Sequence, residues 1–320
     1  MKHPMNGLPD HSVLMRAREV IAPYIHNTAV HTCQTINKIT GATLFFKCEN
    51  FQKAGAFKFR GATNALLSLQ TQALISGVAT HSSGNHAQAL ALAANIQGVK
   101  AYIVMPSNAP KIKIDAVLSY GGAITFCEPT LEARESTLAG IIEQTGAHEI
   151  HPYNDYRIIA GQATAAAELT ESCGHLDAII SPVGGGGLLS GTILSTRYFS
   201  PNTKVFGAEP LMANDAWQSF QKKTFVPSTN PVTIADGLRT SLGSLTFPII
   251  MDGVHDILTA TEEHIIGAMR LIWERMKIII EPSAAVPLAA IMENKGLFAG
   301  KSIGVILSGG NVDLTQLPWQ

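Results

Sequence analysis

The sequence predicts an α/β fold built on a mainly parallel sheet, and three observations predict it. Short β-branched runs alternate with longer helical patterns along the whole chain. Hydrophobic residues make up 46% of the 320, together with 28 glycines, a mixture that suits buried strands and tight turns rather than disorder. Two junctions pass from a strand pattern through small residues into a helix pattern: "THSSGNHAQALALAA" and "IISPVGGGGLLSGTIL".

Taken in order, strands are read at 43–49, 77–82, 100–106, 123–129, 177–184, 204–210 and 302–310. Each is a short run rich in Val, Ile, Phe or Ala that ends at Gly, Pro, Ser or an acidic residue. Helices are read between them, at 57–69, 85–97, 130–145, 157–172, 187–198, 262–276 and 283–294. The polar, proline-punctuated stretch 218–235 reads as a loop. The length fits one large or two modest domains, and no repeat or low-complexity linker interrupts it.

Composition excludes several functions. A net charge of −1 and the lack of a basic patch interleaved with aromatics argue against nucleic acid or an anionic membrane as partner. The runs "MKIII" and "DAIISPVGGGGLL" are too short or too broken to span a bilayer. Cys33, Cys48, Cys127 and Cys173 stand apart without CxxC spacing and read as buried thiols of a reducing compartment. The opening "MKHPMNGLPDHS" lacks the apolar core of a signal peptide, so the expected location is cytoplasmic.

Chemistry is first suggested by "GAFKFRGATNALL", residues 55–67. In a chain with only 15% charged residues, Lys58 stands between Phe57 and Phe59 with Arg60 close by. Either its amine snorkels to water from an ordinary helix start, or it is held dry to react. Burial and a neighbouring positive charge both lower an amine pKa, which makes a lysine nucleophilic. Gly184–Gly187 removes every Cβ where a strand turns into a helix, so backbone N–H groups can converge on an anion such as phosphate. The same loop nearly spells G-x-G-x-x-G, with Ser190 at the last position and Glu209 at a strand end, which is the dinucleotide alternative. That alternative leaves Lys58 and the Ser-Ser-Gly-Asn turn unexplained. Alone, "SSGNH" (82–86) is an ordinary helix cap and "SGGN" (308–311) an ordinary turn.

Together these stretches resemble the fold type II pyridoxal-phosphate enzymes, in the serine/threonine dehydratase and serine racemase branch that includes threo-3-hydroxyaspartate ammonia-lyases. The matching residues are "CENFQKAGAFKFRGA" (48–62), "SSGNHAQALALAA" (82–94), "AGQATAAAEL" (160–169), "SPVGGGGLLSG" (181–191), "IADGL" (234–238), "WERMKIIIEPSAA" (273–285) and "ILSGGNVD" (306–313). The resemblance covers nearly the whole chain. It implies two open, twisted, mostly parallel sheets flanked by helices, in a large domain of 1–68 and 154–320 and a small mobile domain of 69–153. It also implies a homodimer.

By the same resemblance Lys58 would form the Schiff base with the cofactor aldehyde. Phe57 would pack beside the pyridine ring, and Asn85 would bond its 3′-oxygen. Gly184, Gly185, Gly186, Gly187 and Leu188 would donate N–H groups to the phosphate, and Ser308 would face the pyridine nitrogen. A neutral hydroxyl there keeps the ring a modest electron sink, which favours prompt loss of a β-substituent over transamination. Ser83 would be the proton carrier on the face opposite Lys58. Ser82, Ser83, Gly84, Asn85 and His86 would bind substrate, and Arg134 would reach its side chain or carboxylate unless it is an ordinary solvated helix arginine. Glu209, Asp215 and the Ala213 carbonyl would hold a divalent cation, Mg²⁺, Mn²⁺ or Ca²⁺, in an oxygen-rich shell.

Departures from the family pattern qualify this. Ala56 stands where Ser is usual, and "HPYND" (151–155) is nearer to dehydratases than to the mammalian racemase. Nine residues follow Asn311, so feedback through a C-terminal regulatory domain is not expected. The expected function is dehydratase, or ammonia-lyase, action on L-serine, L-threonine or L-threo-3-hydroxyaspartate, yielding a 2-oxo acid and ammonia. Serine racemisation is the alternative, as a second exit from the same site. An NAD-linked dehydrogenase and a non-catalytic amino-acid sensor are the rivals from other classes.

Overall fold

In the computed structural model, which describes residues 7–319, ten strands form two separate sheets. The strands are β1 (Val30–His31), β2 (Thr43–Cys48), β3 (Val78–His81), β4 (Ala101–Pro106), β5 (Ala123–Cys127), β6 (His148–Glu149), β7 (Ala178–Pro182), β8 (Lys204–Pro210), β9 (Asp256–Ala260) and β10 (Ser302–Leu307). The first seven helices are α1 (His11–Ile21), α2 (Gln34–Thr40), α3 (Lys58–Leu67), α4 (Thr71–Ile75), α5 (Asn85–Ile96), α6 (Lys111–Ser119) and α7 (Leu131–Thr145). The remainder are α8 (Tyr156–Cys173), α9 (Gly187–Phe199), α10 (Asp215–Lys222), α11 (Thr246–Gly253), α12 (Glu262–Met276), α13 (Pro282–Glu293) and α14 (Lys295–Phe298).

The larger sheet has the order β1-β2-β10-β7-β8-β9, all parallel except the antiparallel edge strand β1. The smaller, β5-β4-β3-β6, is wholly parallel. Parallel strands need crossover helices on both faces, so their side chains are buried on both sides. Strand β7 shows this, being buried at every position from Ala178 to Pro182. One apolar cluster lies between the larger sheet and α12 and α13, and another fills the opposite face beneath α8, α9 and α11. A third joins α3 and α5 to the smaller sheet.

Two local features set the angle of α3, which carries Lys58. A Cβ on Gly161 would lie 2.6 Å from the Gly61 Cα, so only glycine lets α8 approach α3 this closely. The Arg60 guanidinium, fully buried, donates from Nε to Glu49 at 2.7 Å and from Nη1 and Nη2 to Glu168, each at 2.7 Å. Lys47 Nζ donates to Glu168 at 2.6 Å, which completes two cations against two carboxylates. A balanced, hydrogen-bonded set is the form in which charges tolerate burial.

Each of the seven expected strands and seven expected helices falls on an observed element. Three strands were not expected: two are only two residues long, and β9, "DILTA", is a sheet edge with a partly exposed pattern. The expected loop 218–235 is corrected at its start, because α10 runs on to Lys222. The thiols are also corrected. Only Cys48 is buried, Cys33, Cys127 and Cys173 are half-buried, and all four are free. Of the segment read as lacking a signal peptide, residues 1–6 lie outside the described residues. Among the described residues no helix is long and apolar enough to cross a membrane.

Candidate active site

Lys58 opens α3 at the carboxyl end of the larger sheet. The Phe57 amide donates to the Ser308 carbonyl at 3.0 Å, and Ala56 bridges to Gly309, so the end of β10 holds the start of α3. The Lys58 amine is enclosed by protein while the residue as a whole stays half-buried at the cleft, and it donates to the Pro152 carbonyl at 2.7 Å. Burial lowers its pKa to about 8, against an opposing pull from Glu281. The expected contribution of Arg60 is corrected: that charge is spent on Glu49 and Glu168.

The glycine loop shares a neighbour with Lys58, the Tyr153 ring. Gly186 has φ +87°, in the left-handed region that favours glycine, and it caps α9. A Cβ at Gly185 would lie 2.3 Å from the Tyr153 ring, and one at Gly187 would lie 3.0 Å from Tyr153 Cβ. The loop is therefore a cradle roofed by Tyr153, whose hydroxyl pairs with Thr240 at 3.1 Å and whose ring centre lies 6.0 Å from the Lys58 amine. The first amides of α9, from Gly187 and Leu188, have no helical carbonyl behind them, and the helix dipole turns that end positive. An enclosed amine with such an anion cradle on the same Tyr153 ring fits a phosphate ester carrying an aldehyde, which is what pyridoxal phosphate is.

Ser82, Ser83 and Gly84 form the turn from β3 into α5, with Ser83 half-buried. Ser82 N donates to Val104 O at 3.1 Å, and Gly84 N approaches Ser82 Oγ at 3.4 Å. Asn85 Nδ2 donates to both oxygens of Glu281, at 2.8 and 3.0 Å, and its Oδ1 accepts from Asn311 at 2.9 Å. Burial, then the nearby Asp236 charge, raise Glu281 to about 7. His86 is buried and bonds Ile150 O at 3.0 Å through Nε2, and burial drops its pKa to about 3, so its ring is neutral. Ser308 lies buried at the end of β10. Arg134, on α7, is half-buried; burial first and then the Arg134 charge lower the pKa of His81, against the opposing pull of Glu135. Glu281, Tyr153, His81, His151 and Asn311 were missed as site residues, although all five lie inside stretches quoted above.

Glu209 ends β8, fully buried, and accepts from the Ala216 and Trp217 amides at 3.2 and 2.7 Å. It thus caps α10, which removes it from the role a dinucleotide ribose would need. Both oxygens of buried Asp215 lack a hydrogen-bond partner, with Ser228 nearby but outside bonding geometry. Burial raises Asp215 to about 6, and burial plus the Asp215 charge push Glu209 well above the usual carboxylate range. Two buried carboxylates of this kind, beside the Ala213 backbone, fit a hard divalent cation. Among the described residues no group of three or more His, Cys, Asp or Glu gathers as a metal site.

Known proteins share these features. A β-hydroxyaspartate dehydratase of Paracoccus denitrificans is 49% identical over 312 residues, covering 98% of this chain and 99% of that protein. The serine racemase of Dictyostelium discoideum is 51% identical over 308 residues, 95% of each chain. Its crystal structure superposes with a TM-score of 0.91 over 95% of this chain and 99% of that one. The crystal structure of a T.th. threonine deaminase gives a TM-score of 0.91 at 40% identity, over 96% of this chain and 100% of that one. A family model described as pyridoxal-phosphate dependent enzyme matches residues 21–309, a span that holds both the Lys58 helix and the glycine loop. On that match, and on relatives alike from end to end, this chain belongs to the pyridoxal-phosphate dependent enzymes.

Proposed function

We propose that this protein is a pyridoxal-phosphate-dependent ammonia-lyase. It converts a β-hydroxy amino acid, L-serine, L-threonine or L-threo-3-hydroxyaspartate, to a 2-oxo acid and ammonia. The observation that carries this reading is the enclosed Lys58 amine, with a pKa near 8, which shares the Tyr153 ring as a neighbour with the Gly184–Gly187 loop. The names of the relatives agree: a β-hydroxyaspartate dehydratase and a threonine deaminase eliminate, and the serine racemases support racemisation as a second activity of the same site.

When bound, pyridoxal phosphate supplies an electron sink that makes the Cα proton of an attached amino acid acidic. In this reading the phosphate is held by the amides of Gly184, Gly185, Gly186, Gly187 and Leu188. Phe57 packs beside the ring, Asn85 meets its 3′-oxygen and Ser308 its nitrogen. Lys58 takes the Cα proton from one side; an amine with its pKa near 8 has a usable neutral fraction at working pH. Ser83 carries a proton on the opposite side, the feature that allows inversion at Cα. Ser82, Gly84 and His86 orient the substrate carboxylate at the start of α5, and Arg134 faces its side chain. Glu209, Asp215 and the Ala213 carbonyl hold a divalent cation that braces the larger sheet. Residues 69–153 form a small domain that closes on the remainder, 1–68 and 154–320, and excludes water. A homodimer acting in the cytoplasm completes the reading.

The test is direct. The purified holoenzyme is incubated with L-serine, D-serine, L-threonine and both threo-3-hydroxyaspartates, and 2-oxo acid and enantiomer ratio are followed. Formation of 2-oxo acid from at least one L-substrate is expected, and Lys58→Ala lowers it by about a thousandfold or more. Undiminished turnover by Lys58→Ala overturns the reading.

A further inference from the structure

Helix α13 opens on a carboxylate that does not serve it. Glu281 is the N-cap residue of α13, where an acidic side chain ordinarily accepts from the first helical amides, yet it makes no such bond. The buried side chain turns instead toward α5, and both its oxygens accept from Asn85 Nδ2, at 2.8 and 3.0 Å. The backbone around it is tightly fitted. The Glu281 amide donates to the Gly309 carbonyl at 3.0 Å, and a Cβ on Gly309 would lie 2.8 Å from Glu281 Oε1.

The Asn85 amide is fixed from both ends. Asn311 Nδ2 donates to the Ala54 carbonyl at 2.8 Å and to Asn85 Oδ1 at 2.9 Å. Asn85 therefore turns its oxygen to Asn311 and its nitrogen to Glu281. Seen from Nδ2, the two oxygens of one carboxylate span a narrow angle, whereas the two Nδ2 hydrogens diverge widely. One hydrogen is shared between the oxygens, and the other is left over. In the proposed function Asn85 meets the 3′-oxygen of the cofactor, and the remaining hydrogen is the donor available for it.

We propose that Glu281 is a positioning residue for the cofactor, whose charge holds Asn85 in the orientation that presents a donor to the 3′-oxygen. This inference rests on the proposed reading through that Asn85 contact. Hydrogen bonds to an ionised group are about twice as strong as neutral ones. A neutral Glu281 would also carry an O–H of its own, a second donor facing the Asn85 amide. The groups acting on the carboxyl are Asp236, Lys113, the Asn85 side chain and the Asn311 backbone, and its charge in turn acts on Lys58. Burial and the Asp236 charge raise Glu281 to about 7, so it gains its charge as pH rises through neutrality. His86 and His151, lowered mainly by burial to about 3 and about 4, stay neutral across that range.

The cofactor reports the outcome by its colour. Of the two absorption bands of lysine-bound pyridoxal phosphate, the longer-wavelength one belongs to the form with a negative 3′-oxygen, which a donor stabilises. In the wild-type holoenzyme this band should grow as pH rises, with a midpoint near 7. The midpoint should be lost in Glu281→Gln, which keeps the side-chain shape without its charge, and in Asn85→Ala, which keeps Glu281 and removes the link. Circular dichroism and bound-cofactor content report whether each variant is folded and loaded. A wild-type spectrum unchanged around pH 7 overturns the proposal, and so does a midpoint retained in either loaded variant. Should neither variant load, the Asn85 side-chain amide signals of the ¹⁵N-labelled wild-type holoenzyme decide: they should move with the same midpoint, and signals that stay fixed overturn the proposal. Turnover of the three L-hydroxy amino acids is followed in the same wild-type preparation. The expected titration without any turnover overturns the lyase reading alone, and turnover without the titration overturns the role of Glu281 alone.

Discussion

Lys58 concentrates the residue-scale argument, because a single amine must be protonated or neutral at the right moment. Burial favours the neutral form and Glu281 opposes it, leaving a pKa near 8 instead of the usual 10.5. In the cofactor-free protein, acetylation of Lys58 followed by peptide mass spectrometry should therefore rise with pH to half its maximum near 8. Glu281→Gln removes the charge that favours the ammonium form and should move that midpoint lower. A midpoint near 10.5 would contradict the enclosure of this amine. Linkage has the matching sign. The folded chain binds fewer protons than the unfolded chain between pH 8 and 10.5, so the Lys58 contribution to stability improves as pH rises through that window. The dry lysine was legible from its phenylalanine neighbours. Glu281 was not legible as its counterweight, since it comes from the far end of the chain.

Elements decide whether these residues meet. The glycine run was readable as a phosphate cradle because its signal, four missing Cβ atoms before a helix, is local. Its roof was not, because Tyr153 arrives from another part of the fold. Gly185→Ala would drive a methyl group into the Tyr153 ring, 2.3 Å away. It should weaken pyridoxal-phosphate retention by tenfold or more, measured by equilibrium dialysis, with little change in far-ultraviolet circular dichroism. Helix α3 depends on the buried Arg60–Glu49–Glu168 set. Arg60→Met leaves two carboxylates without their main counter-ion and should cost about 3–5 kcal/mol, read from urea unfolding. Helices α6 and α10 escaped the sequence reading for different reasons. Only Val117 of α6 is buried, so no apolar stripe marks it, and α10 starts where Glu209 caps its amides.

The whole molecule joins two mostly parallel sheets, bridged by pairs such as Asn85–Glu281 and Lys113–Asp236. Larger-scale coupling is tested through the Glu209–Asp215 pair, which lies at the end of β8, away from Lys58 in sequence. Removing divalent cations with EDTA should lower the melting temperature, and Mg²⁺, Mn²⁺ or Ca²⁺ should restore it. A cation at a hundred times its Kd stabilises a fold by about 3 kcal/mol. Asp215→Asn should abolish that increment. An EDTA-insensitive melting temperature would remove the cation from the reading.

By itself the sequence determined the α/β class, the alternation of its principal strands and helices, the lysine framed by phenylalanines and the four-glycine turn into a helix. All of these are written in spacings of a few residues, because hydrophobic periodicity and backbone freedom are local properties. Only the tertiary structure decided what surrounds them: the Glu281 charge acting on Lys58, Tyr153 over the glycines, Glu209 turned to a helix end, and the His81 ring edge to face with His151. Burial and charge are sums over neighbours in space, and those neighbours come from strands and helices far apart along the chain.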